Sequence, residues 1–199
     1  DILVVGAPED YFFRRFSGTA HVWLRGAEGW TYDAQLWAND LDNHDQFGAS
    51  LDVSDGTILI GAYGDDEYTG AAYAFVRVPG EGEQEGKIVW EQQAKLVAGD
   101  KKERERFGLG VALSGDIALI GADLSDVLFD VNDEDAGAAY VFMRSGDEWT
   151  QEEKVVAKDA RPGDHFGYPV ALSGVTAVVG ASPEEFRTPL VGFSYVFDV

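Results

Sequence analysis

A sixty-residue period constrains this chain more than any other feature. Phe47–Phe75 reads FGASLDVSDGTILIGAYGDDEYTGAAYAF. Phe107 opens FGLGVALSGDIALIGA, followed by a loop and GAAYVF; Phe166 opens FGYPVALSGVTAVVGA, followed by a loop and GFSYVF. A fourth copy, without its first part, opens the chain with ILVVGA at Ile2–Ala7 and GTAHVW at Gly18–Trp23. Phe47, Phe107 and Phe166 stand 60 and 59 positions apart, and Gly61, Gly121 and Gly180 repeat those intervals. A period of this size marks one supersecondary unit used several times.

Each full copy holds four strand-like runs. In the first, Leu51 and Val53, Val111 and Leu113, and Val170 and Leu172 alternate with polar or small residues, which is strand periodicity. The second is apolar almost throughout (Ile58-Leu59-Ile60, Ala118-Leu119-Ile120, Ala177-Val178-Val179, and Leu3-Val4-Val5), so it is expected to be buried on both faces. The third runs from small residues to aromatics: Tyr73 and Phe75, Tyr140 and Phe142, Tyr195 and Phe197, with His21 and Trp23 standing in. The fourth starts at Trp30, Trp90 or Trp149 and alternates apolar and polar residues, as a half-exposed edge strand does. Ser54-Asp55-Gly56, Ser114-Gly115-Asp116 and Ser173-Gly174-Val175 supply tight turns between the first two runs. Lys101–Arg106 is too short and too polar for a stable helix.

Four antiparallel strands, the second buried and the fourth exposed, describe one blade of a β-propeller, so the expected fold is all-β. The units resemble FG-GAP repeats, the blades of the integrin alpha-subunit head. The resemblance rests on Phe47-Gly48, Phe107-Gly108 and Phe166-Gly167, on Gly6-Ala7-Pro8, and on the Gly-Ala pairs at the same place in the other copies. It covers nearly the whole chain as one domain, with repeats at about 1–46, 47–106, 107–165 and 166–199. The copies supply three, four, four and three strands, or about three and a half blades. The family resemblance implies a ring of about seven blades, so the chain is expected to form half a propeller. Remaining blades of a longer chain are the preferred completion, given the opening at Asp1 within a repeat; two copies meeting, or a closed four-bladed ring, are the alternatives.

Composition narrows the partners. With 36 acidic and 15 basic side chains the formal net charge is −21, which repels nucleic acid and anionic membranes. No cysteine is present, which removes disulfides, cysteine-zinc sites and cysteine nucleophiles. No apolar run is long enough to span a bilayer as a helix. Lys101, Lys102, Arg104 and Arg106 form a basic patch that is read as a solvated loop or as a contact for an acidic partner.

The integrin-type resemblance implies calcium loops between first and second strands, but here those loops have shrunk to the Ser-Asp-Gly turns, which cannot provide six to eight oxygens. The remaining calcium candidates are Asp130, Asn132 and Glu134, in a loop whose glycine is displaced to Gly137; Asp65-Asp66 is a lesser one. His21, His44 and His165 show no paired spacing, and no nucleophile motif occurs, so no catalytic residue is expected.

The loops between second and third strands differ from copy to copy while the strands are alike, and binding usually sits on such variable loops of a fixed scaffold. Loop one holds Tyr11, Phe12, Phe13, Arg14, Arg15 and Phe16, side chains of the kinds that anchor interfaces. Phe129 in loop three, and Phe186 and Arg187 in loop four, are the second candidates. The competing reading folds these rings back over the blades. The expected function is protein binding or adhesion through loops on one face, outside the cell or at its surface, as the resemblance implies. Glycan binding by equivalent pockets is one alternative. An accessory or structural role in a larger enzyme or assembly is the other, since such repeats also accompany hydrolases.

Overall fold

A computed structural model describes residues 1–126, 135–182 and 192–199. The described chain forms four antiparallel sheets, in chain order. The first contains β1 (Ile2–Ala7), β2 (Thr19–Gly26) and β3 (Gly29–Leu36). The second contains β4 (Ser50–Ser54), β5 (Thr57–Ala62), β6 (Ala71–Pro79) and β7 (Ile88–Leu96). The third contains β8 (Gly110–Ser114), β9 (Ile117–Ala122), β10 (Ala138–Ser145) and β11 (Glu148–Val155). The fourth contains β12 (Phe166–Ser173), β13 (Thr176–Ala181) and β14 (Phe193–Asp198). Every sheet is a meander of sequence neighbours, the arrangement of a propeller blade. The only helical turns among the described residues are single turns at Asp65–Tyr68 and Gly82–Gln84.

The core lies between the sheets. Val4, Ala20, Val22 and Leu36 on the back of the first sheet pack on Phe47, Ile58, Ile60, Tyr73 and Phe75 on the front of the second. Leu59, Ala72 and Leu96 then meet Phe107, Ile120, Tyr140 and Phe142. Ala112, Leu119 and Val141 meet Phe166, Val179, Tyr195 and Phe197. One junction is thus built three times from the same register positions. The second strand is buried on both faces in β5 and nearly so in β9, as its sequence predicts. In β1 and β13 it is not: Leu3, Val5 and Val178 are exposed, because each lies on the one face of an end sheet that has no neighbouring sheet.

The repeated glycines explain how the sheets close on one another. A Cβ on Gly6, Gly61 or Gly121 would collide with the carbonyl oxygen of Gly48, Gly108 or Gly167, the glycine after the phenylalanine of the next sheet. The second glycine of each pair has positive φ, at 92°, 88° and 121°, so both members of the contact demand glycine. Beside it, the Phe47, Phe107 and Phe166 amides donate to Ser17, Thr69 and Ala136 carbonyls of the preceding sheet. At the outer rim each fourth strand carries a bulge, at Asp33 in β3 and Gln93 in β7, and that residue accepts the indole N–H of Trp90 (2.8 Å) or Trp149 (3.0 Å) from the next sheet. Trp90 and Trp149, which open two of the outer strands, therefore tie blade to blade.

Candidate functional site

The loops between second and third strands share one end of the sheets with the segments that link one sheet to the next. Each linking segment carries an acid seven residues before its phenylalanine (Asp40, Asp100, Asp159) and another two residues before it (Asp45, Glu105, Asp164). The first set accepts the tyrosine hydroxyls of the third strands: Tyr73 to Asp40 (3.0 Å), Tyr140 to Asp100 (3.0 Å) and Tyr195 to Asp159 (2.8 Å). Lys95 Nζ lies 2.6 Å from Asp40 Oδ2 and 2.9 Å from Asp65 Oδ1; Lys154 Nζ lies 2.7 Å from Asp100 Oδ2 and 3.2 Å from Ser125 Oγ. The second set caps its own segment: Asp45 accepts the Asp42 amide, Glu105 the Lys102 amide and Asp164 the Arg161 amide.

Burial sets the electrostatics of this seam. It pushes the Asp45 carboxyl up to about 6, with the charges of Asp65, Asp42 and Asp40 adding to the effect and the Asp42 amide opposing it. Burial is also the largest influence on Asp40, but there Lys95 and the Tyr73 hydroxyl together outweigh it and hold the carboxyl below its ordinary value. Burial and the two facing carboxylates drive the Tyr73 hydroxyl far above the usual phenol range, so it serves as a donor. Tyr73 and Tyr140 are fully buried, and Tyr195 is half-buried. By sequence alone these segments are no more than polar linkers; the one signal of the seam is the spacing of the acids before each Phe-Gly.

Loop one is bound to the linking segment 37–49. The Arg15 amide donates to Asn43 Oδ1 (3.0 Å), the His44 amide to the Arg15 carbonyl (2.7 Å) and the Gln46 amide to the Phe16 carbonyl (3.1 Å). Below, Asp10 accepts the Thr19 hydroxyl at 2.8 Å and the Ser17 hydroxyl donates to the Arg14 carbonyl. Two rings fold back: Phe12 against Trp37 (centroids 4.8 Å) and Phe16 between Tyr11 (4.9 Å) and His44 (5.6 Å), with the Arg15 guanidinium 5.3 Å from the Phe16 centroid. Tyr11 and Phe13 face outward at 60% and 73% exposure, and Arg14 and Arg15 are exposed beside them.

From His44 the surface drops into an open cleft of about 830 Å³, lined by Asn43, Tyr63, Glu67, Tyr68, Arg104 and Arg106 among others. Glu67 and Tyr68 on its wall, and Asp66 before them, all have positive φ (58°, 66° and 49°), a run of left-handed non-glycine residues that costs strain. The basic patch is mostly paired with neighbouring loops: Arg106 grips Asp123 through two nitrogens at 3.0 and 2.6 Å, Lys102 lies 3.5 Å from Asp126 and Lys101 4.0 Å from Asp66. Phe129, Phe186 and Arg187, and the calcium candidates Asp130, Asn132 and Glu134, lie outside the described residues. Asp65 is committed to Tyr73 and Lys95, and among the described residues no group of three or more metal-ligating acids or histidines converges.

Sheets of this kind, joined by a glycine contact repeated in register and by an outer-strand tryptophan, define a protein built of β-propeller blades. The chain belongs to the FG-GAP repeat family, whose model matches residues 30–75, 90–142 and 149–197. Each matched unit begins in the outer strand of one sheet and ends in the third strand of the next, so the family's unit straddles two blades and links them covalently. No curated protein sequence matches the chain significantly.

Proposed function

We propose that this FG-GAP chain is a non-catalytic binding module that takes a protein partner on its loop face, outside the cell or at its surface. The observation that carries this reading is the pairing of outward aromatics with a fixed backbone. Tyr11 and Phe13 are exposed, while the loop that holds them is hydrogen-bonded to the linking segment at Arg15 and Phe16. Aromatic side chains presented on an ordered loop lose little entropy on binding and are enriched among interface anchors. Membership of a repeat family often used for protein binding supports the same reading. So does the fate of the titratable groups of the seam, whose hydrogen bonds go to the frame rather than toward solvent.

A peptide library displayed on phage and selected against the immobilised chain tests this. Enriched peptides are expected to bind the Tyr11→Ala, Phe13→Ala double variant at least ~10-fold more weakly, the scale of a lost interface anchor. Trp30→Ala, at the opposite end of the first sheet, should leave their binding unchanged. Peptides that bind the double variant as tightly as the unaltered chain would remove loop one from the function.

A further inference from the structure

The open cleft below His44 is walled by internal segments of the chain. Asn43 and His44 come from the link between the first and second sheets, Arg104 and Arg106 from the link between the second and third, and Tyr63 and Tyr68 from the loop of the second sheet. In the basic patch beside it one cation is left over. Lys101, Lys102 and Arg106 each pair with an acid, whereas Arg104 is exposed and its side chain makes no ion pair or hydrogen bond among the described residues. Its backbone is left-handed, with φ of 69°. The same position, three residues before each phenylalanine, has φ of 68° at His44 and 69° at Gly163. The third link thus uses glycine, the residue that adopts this conformation without strain. Arg106 is also left-handed, at 56°, but its guanidinium is held by Asp123. Arg104 bears the strain with no side-chain bond inside the chain to offset it.

We infer that Arg104 receives a carboxylate side chain of the protein partner, an aspartate or glutamate that enters the cleft while neighbouring residues of the same segment lie on loop one. This rests on the binding role proposed above for loop one. Cleft and loop are continuous, since His44 lines the cleft and packs on Phe16 at 5.6 Å. An unpaired guanidinium takes a carboxylate through two parallel hydrogen bonds. Tyr63 adds a donor in the same wall: burial, with the Tyr68 phenol adding to it, raises the Tyr63 hydroxyl above its ordinary value, so it stays protonated. The cleft volume, about 830 Å³, suits a short stretch of side chains rather than a lone ion. The chain's formal net charge of −21 repels a polyanion, so the occupant is a segment with an isolated acid, not an acidic run. Glu67, in the same wall, repels a carboxylate and therefore weakens the contact that Arg104 makes.

The test is a double-mutant cycle, with the peptides enriched by phage display on the immobilised chain as the probe. Each acid of an enriched peptide is exchanged in turn for its amide, and binding is measured to the unaltered chain and to Arg104→Gly. One exchange should weaken binding to the unaltered chain by at least ~10-fold, as loss of a charged hydrogen-bonded pair does, and binding to Arg104→Gly by no more than ~2-fold. Glu67→Gln should tighten binding of the acidic peptide by about 2-fold, the scale of one exposed charge, and leave its amide form unchanged. Arg104→Gly should unfold at no lower temperature than the unaltered chain, because glycine already fills that position in the third link. A lower midpoint would mean that the side chain serves the fold, and would overturn the proposal. Equal losses on both chains, or enriched peptides without an acid on which binding depends, would overturn it too. Peptides that need Tyr11 and Phe13 but bind Arg104→Gly at full strength would leave loop one as the anchor and remove the carboxylate site alone. A selection that enriches no peptide removes both.

Discussion

The seam around Tyr73 and the loop around Phe13 occupy the same end of the molecule and are built by opposite rules. In the seam, charge is taken inside: Asp45 and Asp65 are buried, and Lys95 bridges Asp40 and Asp65 beneath a buried tyrosine. In loop one, apolar rings are left outside while the loop's polar groups hold the backbone. The seam recurs with each linking segment, down to the tyrosine–aspartate bond. The ring cluster at Tyr11–Phe16 occurs once. Repetition here marks what every blade needs in order to sit against its neighbour. Departure from repetition marks what this molecule adds, and an exposed ring that the frame does not need is where a partner can gain binding energy.

The largest effect that separates the two regions is on packing. Phe107 is buried, lies edge-on to Tyr140 at 5.4 Å and to Phe142 at 6.0 Å, and its backbone is tied to the preceding sheet. Phe107→Ala should cost about 3–5 kcal/mol, the transfer free energy of the ring plus the cavity left behind. Denaturant titration followed by far-ultraviolet circular dichroism measures it. A loss below about 1 kcal/mol, the level of an ordinary surface substitution, would mean that the junction is not the core of this fold.

Strand periodicity, the tight turns, the glycine pair and the outer tryptophans are all legible in the amino-acid sequence, because each is a local demand repeated in register. Asp55 and Gly56, read as a positive-φ turn, adopt φ of 48° and 81°. The exposed faces of β1 and β13 are not legible, since burial on both faces depends on a neighbour that no local pattern records. The seam is legible in principle: acids stand at the same two offsets before every Phe-Gly. It escapes notice because a polar linker carries no periodicity, and the tyrosine that completes it lies 33 to 40 residues away in the third strand. Nor does loop one, with four aromatics in six positions, reveal from sequence that Phe12 turns toward Trp37 while Phe13 turns out. Adjacent rings in an irregular loop are sorted only by what lies beneath them.

The next effect concerns charge in the seam and has a definite sign. A buried carboxyl whose folded value is about 6 against an ordinary 3.8 destabilises the native state when ionised. That cost is fully present above pH 6, shrinks as pH falls from about 6 to about 3.8, and is absent below. Asp45→Asn keeps an oxygen for the Asp42 amide and removes the charge. It should stabilise the chain by about 1–3 kcal/mol at neutral pH, since each pH unit separating the folded value from the ordinary one is worth ~1.4 kcal/mol. The gain should fade across the same pH window in melts taken from pH 7.5 to pH 4. A stabilisation independent of pH would assign the effect to packing rather than to the buried charge.

The smallest effect is the one that gives the comparison its functional meaning. Phe13 has most of its surface in water already, so truncating it removes little buried area; its one close ring contact is with Phe12, at 4.3 Å. Phe13→Ala should change stability by no more than about 0.5 kcal/mol, as substitutions outside the packed frame do. Measured beside Phe107→Ala in the same titration, it separates a ring kept for folding from a ring kept for contact. If Phe13→Ala instead destabilises the chain on the scale of a core residue, the outward ring is part of the frame. Loop one would then have to be treated as a lid over the first sheet, and the loss of peptide binding in its variants would report unfolding rather than a missing anchor.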